Sequence, residues 1–218
     1  MPRRIRTSHL AVPAVIIAGL AAVPMATAAF EVRVTPLPAA QRTAMTPSVW
    51  RKGCPVGLDQ LRAVTATYRG YDGSDHTGTL VVNQDVAPTV ATALRRLYAA
   101  KVPIRKMRPI EAYGGDDWKS IDDDNTSAFN CRNATGSSNW SNHAYGRAID
   151  INPIENPYVT SSGSVAHTAS KKFVTRTPGP GVATPGSPLV TVFTGLGWGW
   201  GGTWSGTKDF QHFSSTGR

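Results

Sequence analysis

Two short segments of the chain concentrate residues that can bind a metal ion and activate water. Residues 141–152 read Ser-Asn-His-Ala-Tyr-Gly-Arg-Ala-Ile-Asp-Ile-Asn and include His143 and Asp150. Residues 197–213 begin with a run of Gly and Trp and include His212. Two imidazoles and one carboxylate from separate segments form the donor set of a catalytic Zn²⁺, which keeps its fourth position for water. For each His taken alone, a hydrogen-bonded structural residue is the competing interpretation.

Asp209 lies three residues before His212 and adds a second carboxylate to the same region. Beside a metal-activated water, such a carboxylate takes the proton of the water and passes it on. Residues three apart in an extended strand point to opposite faces. We therefore expect Asp209 to lie at a bend before the strand of His212, and Gly206 is the residue that would permit this bend.

The elements that would position these residues begin with a β-hairpin. Residues 61–70 and 77–83 are rich in β-branched and aromatic types, and the intervening Tyr-Asp-Gly-Ser-Asp has the composition of a turn. Asp85 is then expected to cap a helix whose apolar residues recur at helical spacing, namely Val86, Val90, Leu94 and Leu97. This apolar face is expected to pack on a sheet.

Farther along the chain, we expect a strand over Ile104–Glu111, a solvated acidic loop over Gly114–Asp124, a short helix over Leu189–Leu196 and a last strand over Asp209–Ser214. The acidic loop lacks the spacing of an EF-hand, so a calcium site is the less favoured interpretation. Residues 154–188 are crowded with Pro, Gly, Ser and Thr, as in functional lids and disordered insertions. Strands and helices in this irregular order predict an α+β fold, with a small antiparallel sheet and flanking helices.

The composition is that of a globular protein with long irregular connections. The chain has 218 residues, of which 40% are hydrophobic and 17% charged, with 21 Gly and 16 Pro. These values exclude a collagen, a coiled coil and a bulk disordered chain. The length suits one domain that can fold without a structural metal, so any bound metal is expected to be functional.

The N-terminus has the pattern of a secretory signal peptide. Residues 1–29 contain three Arg, then an apolar run, then small residues suited to cleavage. A membrane anchor is disfavoured because the apolar run is shorter than a spanning helix requires. We therefore divide the chain into a signal peptide at 1–29, a linker at 30–53 and a folded domain at 54–218.

The two cysteines, Cys54 and Cys131, are expected to form one disulfide in an oxidising compartment. Two free buried thiols are the alternative. The spacing of these residues is not that of a Cys-x-x-Cys metal site.

Taken together, the two motifs resemble a known enzyme family. Residues 141–150 read Ser-x-His-x-x-Gly-x-Ala-x-Asp, and residues 209–213 read Asp-x-x-His-Phe after the Gly-Trp run. This combination resembles the D-alanyl-D-alanine carboxypeptidase-like zinc peptidases, which include VanY-type carboxypeptidases and phage endolysin L-alanyl-D-glutamate peptidases. The resemblance implies that 54–218 is the peptidase domain, with its catalytic core at about 80–213. The resemblance implies that His143, Asp150 and His212 bind zinc and that Asp209 is the general base. It also implies the fold of that family, the Hedgehog type, with the zinc site at a sheet cleft.

The family resemblance implies one further catalytic residue, an Arg upstream of the His motif that holds the substrate carboxylate or the developing oxyanion. Arg132 in Phe-Asn-Cys-Arg is the candidate, and a surface Arg that pairs with the acidic run 122–124 is the alternative. Ser141 is expected to support the metal site or to cap a turn. Tyr145 and Trp200 either line the cleft or belong to ordinary packing.

The function implied is that of a secreted, extracytoplasmic zinc metallopeptidase that cleaves peptidoglycan stem or cross-link peptides. The net charge of +9 falls to +6 without the three Arg of the signal peptide. This charge suits an anionic cell-wall polymer, and no motif indicates nucleic acid. We expect a monomer without membrane contact once the signal peptide is removed. Carboxypeptidase and endopeptidase action both remain open.

Two other functions are weighed against this one. A binding module of the same fold would hold the cell-wall peptide without cutting it. A lysostaphin-type zinc endopeptidase would need a His-x-His pair near its end, whereas this chain has Phe-Gln-His at residues 210–212. Outside the two motifs, His76 in the hairpin turn and His167 in the long loop are expected to be solvated.

Overall fold

The structure is a computed structural model that describes Met1 and residues 29–217. The predicted signal peptide at 1–29 lies almost wholly outside the described residues. Within the described part, no helix is both long and apolar enough to cross a membrane.

The largest sheet contains the predicted hairpin. Its strands are β1 (Val32–Pro36), β2 (Leu61–Arg69) and β3 (Asp75–Asn83), antiparallel in the order β1-β2-β3. The β2–β3 pairing runs from Leu61 opposite Asn83 to Arg69 opposite Asp75. The buried residues of β2 and β3 alternate with more exposed ones over part of each strand. Several of these buried residues belong to the main hydrophobic core of the domain.

The segment 30–53 differs from the linker that we predicted. β1 pairs with β2, and α1 (Ala39–Met45) follows it. Met45 and Val49 are fully buried in a core that also contains Cys131. Four of the five β1 residues are exposed. Val32 and Val34 nevertheless alternate with Arg33 and Thr35, which is the period of a strand, so this signal was present in the sequence and was missed.

Helix α2 (Ala87–Ala99) packs on this sheet through the predicted apolar face. Val90, Leu94 and Leu97 are buried, as the helical spacing predicts. The predicted cap is wrong, because Val86 is the N-cap and makes no capping hydrogen bond through its side chain. The Asp85 carboxylate instead accepts a hydrogen bond of 2.6 Å from the guanidinium of Arg147.

The middle of the chain is more broken than the sequence predicts. In place of a strand over Ile104–Glu111, β4 (Lys106–Met107) pairs in parallel with β5 (Asn125–Thr126), and a 3₁₀ turn (Ile110–Tyr113) follows β4. The predicted acidic loop contains α3 (Asp117–Asp122). The side chain of Asp116 accepts a hydrogen bond from Lys119 N at 3.1 Å and so caps α3.

A second antiparallel sheet has the order β6-β10-β8, with β6 (Ala148–Asp150), β8 (Gly199–Trp200) and β10 (His212–Ser214). Beside it, β7 (Tyr158–Val159) pairs with β9 (Lys208–Asp209). Helix α4 (Pro188–Thr194) matches the predicted short helix to within two residues. Small antiparallel sheets with packed helices confirm the α+β class.

One hydrophobic core joins the two sheets to α2 and α4. The rings of Phe193 from α4 and Phe213 from β10 stack with their centroids 4.5 Å apart. Ile149 and Ile151, on either side of Asp150, are buried in the same core. The backbone that carries the candidate metal ligands is therefore fixed from behind by apolar packing.

The segment 154–188 is an ordered part of the domain and not a loop without structure. It contains β7 and a 3₁₀ segment (Thr168–Phe173). Arg176 lies at its centre and donates hydrogen bonds to Glu155 O at 2.6 Å, Ala183 O at 2.6 Å and Asn156 Oδ1 at 2.8 Å. Its guanidinium also lies 4.3 Å from the centroid of the Phe210 ring, so one side chain ties together both ends of the segment.

The predicted disulfide joins Cys54 to Cys131, with their Cα atoms 5.9 Å apart. The bond fastens the N-terminal segment to the chain that leads into the His143 motif. Arg51 reinforces this junction by donating a hydrogen bond of 2.7 Å to Cys131 O.

Candidate metal centre

His143 lies in a 3₁₀ turn (Asn142–Tyr145) whose start and end are both fixed. The Ser141 hydroxyl accepts a hydrogen bond from His143 N at 3.3 Å, so Ser141 caps this turn. Gly146 ends the turn at φ +66°, and a Cβ there would lie 2.6 Å from Asn83 N. The sequence therefore needs Gly at this position for its left-handed backbone and for the close approach to β3.

Asp150 and His212 are brought together by strand register. They lie directly opposite each other in the antiparallel pairing of β6 with β10. The His212 Nδ1 atom is 3.1 Å from Asp150 Oδ1, and the His143 Nε2 atom is 3.2 Å from Asp150 Oδ2. All three side chains are buried.

The three side chains form a group that fits a metal ion. One ligand atom from each of His143, Asp150 and His212 lies within 4.8 Å of the others. His143 Nδ1 is 2.6 Å from Ala128 O, which favours donation from Nδ1 and leaves Nε2 facing the group. Two imidazole nitrogens and one carboxylate match the donor types of a catalytic zinc site.

The electrostatics of Asp150 keep it ionised. Burial alone raises the pKa of its carboxyl, but the imidazoles of His143 and His212 outweigh burial and hold the pKa below its usual range. An ionised Asp150 supplies the negative charge that a divalent cation requires in a buried site.

Asp209 reaches the same site through a break in the chain. The predicted last strand divides into β9 and β10, with a turn at residues 210–211 between them. Asp209 therefore lies at a break before the strand of His212, as expected. The chain also bends at residues 204–207, where Gly206 has φ +75°. Asp209 is only 9% exposed, and its Oδ1 atom accepts no hydrogen bond from the described residues. Burial, and then the nearby charge of Asp150, raise the pKa of Asp209 to about 6.

Gly201 allows the Gly-Trp run to lie against Asp209. A Cβ at Gly201 would lie 2.4 Å from Asp209 O and 2.9 Å from Asp209 Cβ. Any other residue would push Asp209 away from the group. The Gly at this position is thus tied to the placement of the carboxylate.

Arg132 lines the cavity that adjoins the metal group. Its Nε atom pairs with the carboxylate of Asp117 at the start of α3, not with the acidic run 122–124 that we considered as its alternative partner. The other carboxylate oxygen of Asp117 accepts a hydrogen bond of 2.7 Å from Asn130 Nδ2. Asp117 therefore holds the guanidinium in a fixed orientation beside the cavity.

The cavity has a volume of about 610 Å³ and contains all five predicted site residues in its lining: Arg132, His143, Asp150, Asp209 and His212. Trp204 also lines it, with its ring centroid 5.4 Å from that of His212. Of the two aromatic residues considered for the cleft, neither Tyr145 nor Trp200 is in the lining. Trp200 is instead buried in the core and donates a hydrogen bond to Phe210 O.

Sequence reasoning missed the part of the cavity lining that contains His167 and Trp118. His167 was expected to be solvated, but its Nδ1 atom is 2.6 Å from Asp122 Oδ1 and its ring packs 4.2 Å from that of Trp118. Asp122 lies 45 residues away in the sequence, so no local pattern indicates this contact. His76 pairs with Asp72 in the exposed hairpin turn and remains outside the cavity, as expected.

Residues 135–215 match a family model described as D-alanyl-D-alanine carboxypeptidase. Comparisons with curated proteins and with solved structures gave no match. The matched segment contains His143, Asp150, Asp209 and His212, whereas Arg132 lies just before it. The resemblance to the D-alanyl-D-alanine carboxypeptidase-like peptidases that the two motifs predict is thus confirmed over this segment.

Proposed function

We propose that the protein is a secreted zinc peptidase that hydrolyses amide bonds in peptidoglycan peptides, with carboxypeptidase or L-alanyl-D-glutamate endopeptidase specificity. The observation that carries this proposal is the buried group of His143, Asp150 and His212 at the wall of a cavity of about 610 Å³. The family match over residues 135–215 supports the same activity.

His143, Asp150 and His212 would hold the zinc ion. When bound, zinc polarises the scissile carbonyl and lowers the pKa of water toward about 7. The apolar core behind β6 and β10 positions Asp150 and His212, and the contact of His143 Nδ1 with Ala128 O positions His143, so little reorganisation is needed when the ion binds.

Asp209 would act as the general base and then as the general acid. Its buried Oδ1 atom has no hydrogen-bond donor among the described residues, so it can accept the proton of the attacking water. Transfer of that proton to the amine nitrogen completes the cleavage of the amide bond.

Arg132 would bind negative charge on the substrate. A guanidinium beside the cavity suits either the terminal carboxylate of a peptide or the oxyanion that develops on the scissile carbonyl. Asp117 fixes the direction of the guanidinium, and the disulfide at the preceding residue fixes the backbone that carries it.

Export is part of the same proposal. Peptidoglycan lies outside the cytoplasm, and a disulfide between Cys54 and Cys131 is stable in an oxidising compartment. The pattern of residues 1–29 is consistent with this location.

The test is to digest purified peptidoglycan with zinc-loaded protein that lacks residues 1–29 and to weigh the products by mass spectrometry. Loss of a terminal D-alanine would identify a carboxypeptidase, and cleavage within the stem would identify an endopeptidase. His143→Ala should lose both bound zinc and cleavage. His76→Ala is the matched control and should keep both, because His76 lies outside the cavity.

Two results would contradict the proposal. Cleavage by His143→Ala at the parent rate would exclude the metal group as the catalytic centre. Binding of peptidoglycan by the parent protein without any cleavage would instead support the binding module of the same fold.

A further inference from the structure

Part of the cavity lining is not used by the proposed chemistry. Helix α3 contributes Trp118 and Ile121 to this part of the wall, and the segment 154–188 contributes Val165 and His167. Trp118 is 56% exposed, more than any other large hydrophobic side chain within residues 29–217. Ligand pockets are lined largely by hydrophobic and aromatic side chains, so an accessible Trp in this lining is placed to contact a ligand.

The Trp118 ring is held in a fixed position. It lies on α3, and its centroid is 4.2 Å from that of the His167 ring at an interplanar angle of 38°. His167 is in turn fixed by Asp122, whose Oδ1 atom is 2.6 Å from His167 Nδ1. Asp122 lies one helical turn after Trp118, so the three side chains brace one another and the exposed face is pre-organised for binding.

The charged groups around this ring already have partners. The nearby acidic residues form three pairs: Asp116 with Lys119, Asp117 with Arg132, and Asp122 with His167. Of the six, Arg132 is the group assigned to negative charge on the substrate, and the other five only pair with one another or with Arg132. The Trp118 face consequently suits an uncharged group with a broad surface.

We propose that the Trp118–His167 wall is a subsite for a pyranose ring of the glycan strand to which the cleaved peptide is attached. This inference rests on the proposed function. Stem-peptide side chains offer a methyl group or charged groups, whereas the sugar offers a flat, uncharged face of C–H bonds. Such C–H bonds carry a partial positive charge that is attracted to the negative face of an indole ring.

The test compares two substrates with the same stem peptide, one carrying the disaccharide and one without it. The parent protein is expected to cleave the disaccharide-linked peptide with the higher kcat/KM. Trp118→Ala should lower this value about five- to tenfold, through KM, and should leave the bare peptide unaffected. Trp118→Phe should retain part of the preference. Val34→Ala, a change at an exposed apolar side chain on β1, is the control and should alter neither value.

The outcomes separate the subsite from the proposed function. The subsite would be overturned as a proposal if Trp118→Ala and Trp118→Phe lowered kcat/KM equally for both substrates, or lowered it for neither. If the parent cleaves neither substrate, the proposed function fails, and the subsite is tested by titrating free disaccharide and following tryptophan fluorescence. Saturable binding that Trp118→Ala abolishes would then support the subsite, and absence of binding by the parent would overturn it.

Discussion

Arg176 provides the sharpest test of how the segment 154–188 is held against the domain. We expect Arg176→Met to destabilise the protein, because methionine fills a similar space but donates no hydrogen bond. The guanidinium donates to Glu155 O, Phe173 O, Ala183 O and Asn156 Oδ1. The change therefore removes the donor that joins both ends of the segment.

The size of the stability loss in Arg176→Met depends on which hydrogen-bond acceptors of the guanidinium are buried. Ala183 is fully buried and Glu155 nearly so, whereas Phe173 is more accessible and Asn156 Oδ1 keeps a second donor, Ala183 N, at 2.7 Å. Two buried carbonyl oxygens without a donor cost about 1–3 kcal/mol each. Relief of the buried positive charge, whose pKa burial lowers to about 10, offsets part of this loss. We expect a net loss of about 3 kcal/mol in the free energy of unfolding, or about 6–12 °C in Tm.

The assay is urea and thermal unfolding of the parent and the variant, together with limited proteolysis of residues 154–188. Lys171→Met is the matched control, because it also removes a positive charge from this segment but at an exposed position, and it should change the free energy of unfolding by less than about 0.5 kcal/mol. Equal stability of the two variants, with the segment still protected from protease, would show that the hydrogen bonds of Arg176 do not hold the segment.

Three further predictions concern stability and catalysis. Because the Cys54–Cys131 bond closes a separation of 77 residues, its reduction should lower the free energy of unfolding by about 4.5 kcal/mol in the chain-entropy estimate. An unchanged urea midpoint after reduction would contradict this prediction. Burial, and next the hydrogen bond and charge of Glu155, raise the pKa of Asp124 to about 8. The contribution of protonated Asp124 to the free energy of unfolding should therefore be full below about pH 4 and lost as the pH rises through 8. In urea unfolding, the free energy of unfolding should differ less between pH 5 and pH 8 in Asp124→Asn than in the parent. An equal difference in the two proteins would contradict the assignment to Asp124. Asp209→Asn should lower kcat about 10²- to 10⁴-fold with bound zinc unchanged, and a near-normal kcat would exclude Asp209 as the base.

Much of the candidate site could be predicted because its residues belong to short motifs. Asp150 and His212 lie opposite each other in the pairing of two strands. The apolar residues of both strands pack in the core, and this determines which side of each strand is buried. The hairpin and α2 were also predictable, because their side chains repeat with the period of the element. The cap of α2 was not, because Asp85 bonds to Arg147, which is distant in sequence.

The parts that escaped prediction depend on contacts between distant residues. β1 has the alternating side chains of a strand, but this alternation does not identify β2 as its partner. The segment 154–188 has the composition of a loop, yet the hydrogen bonds of Arg176 order it. Likewise, the contact of Trp118 with His167 joins residues that no local spacing relates.

The proposed function requires that His143, Asp150 and His212 hold a zinc ion without which the peptide is not cleaved. The most direct measurement is to strip the protein of metal with a chelator, titrate zinc back and follow both bound zinc and cleavage of a stem peptide. We predict one zinc ion per chain, recovery of cleavage in proportion to bound zinc, and neither in His212→Ala. Undiminished cleavage by the stripped protein, or equal zinc binding by His212→Ala, would contradict the account.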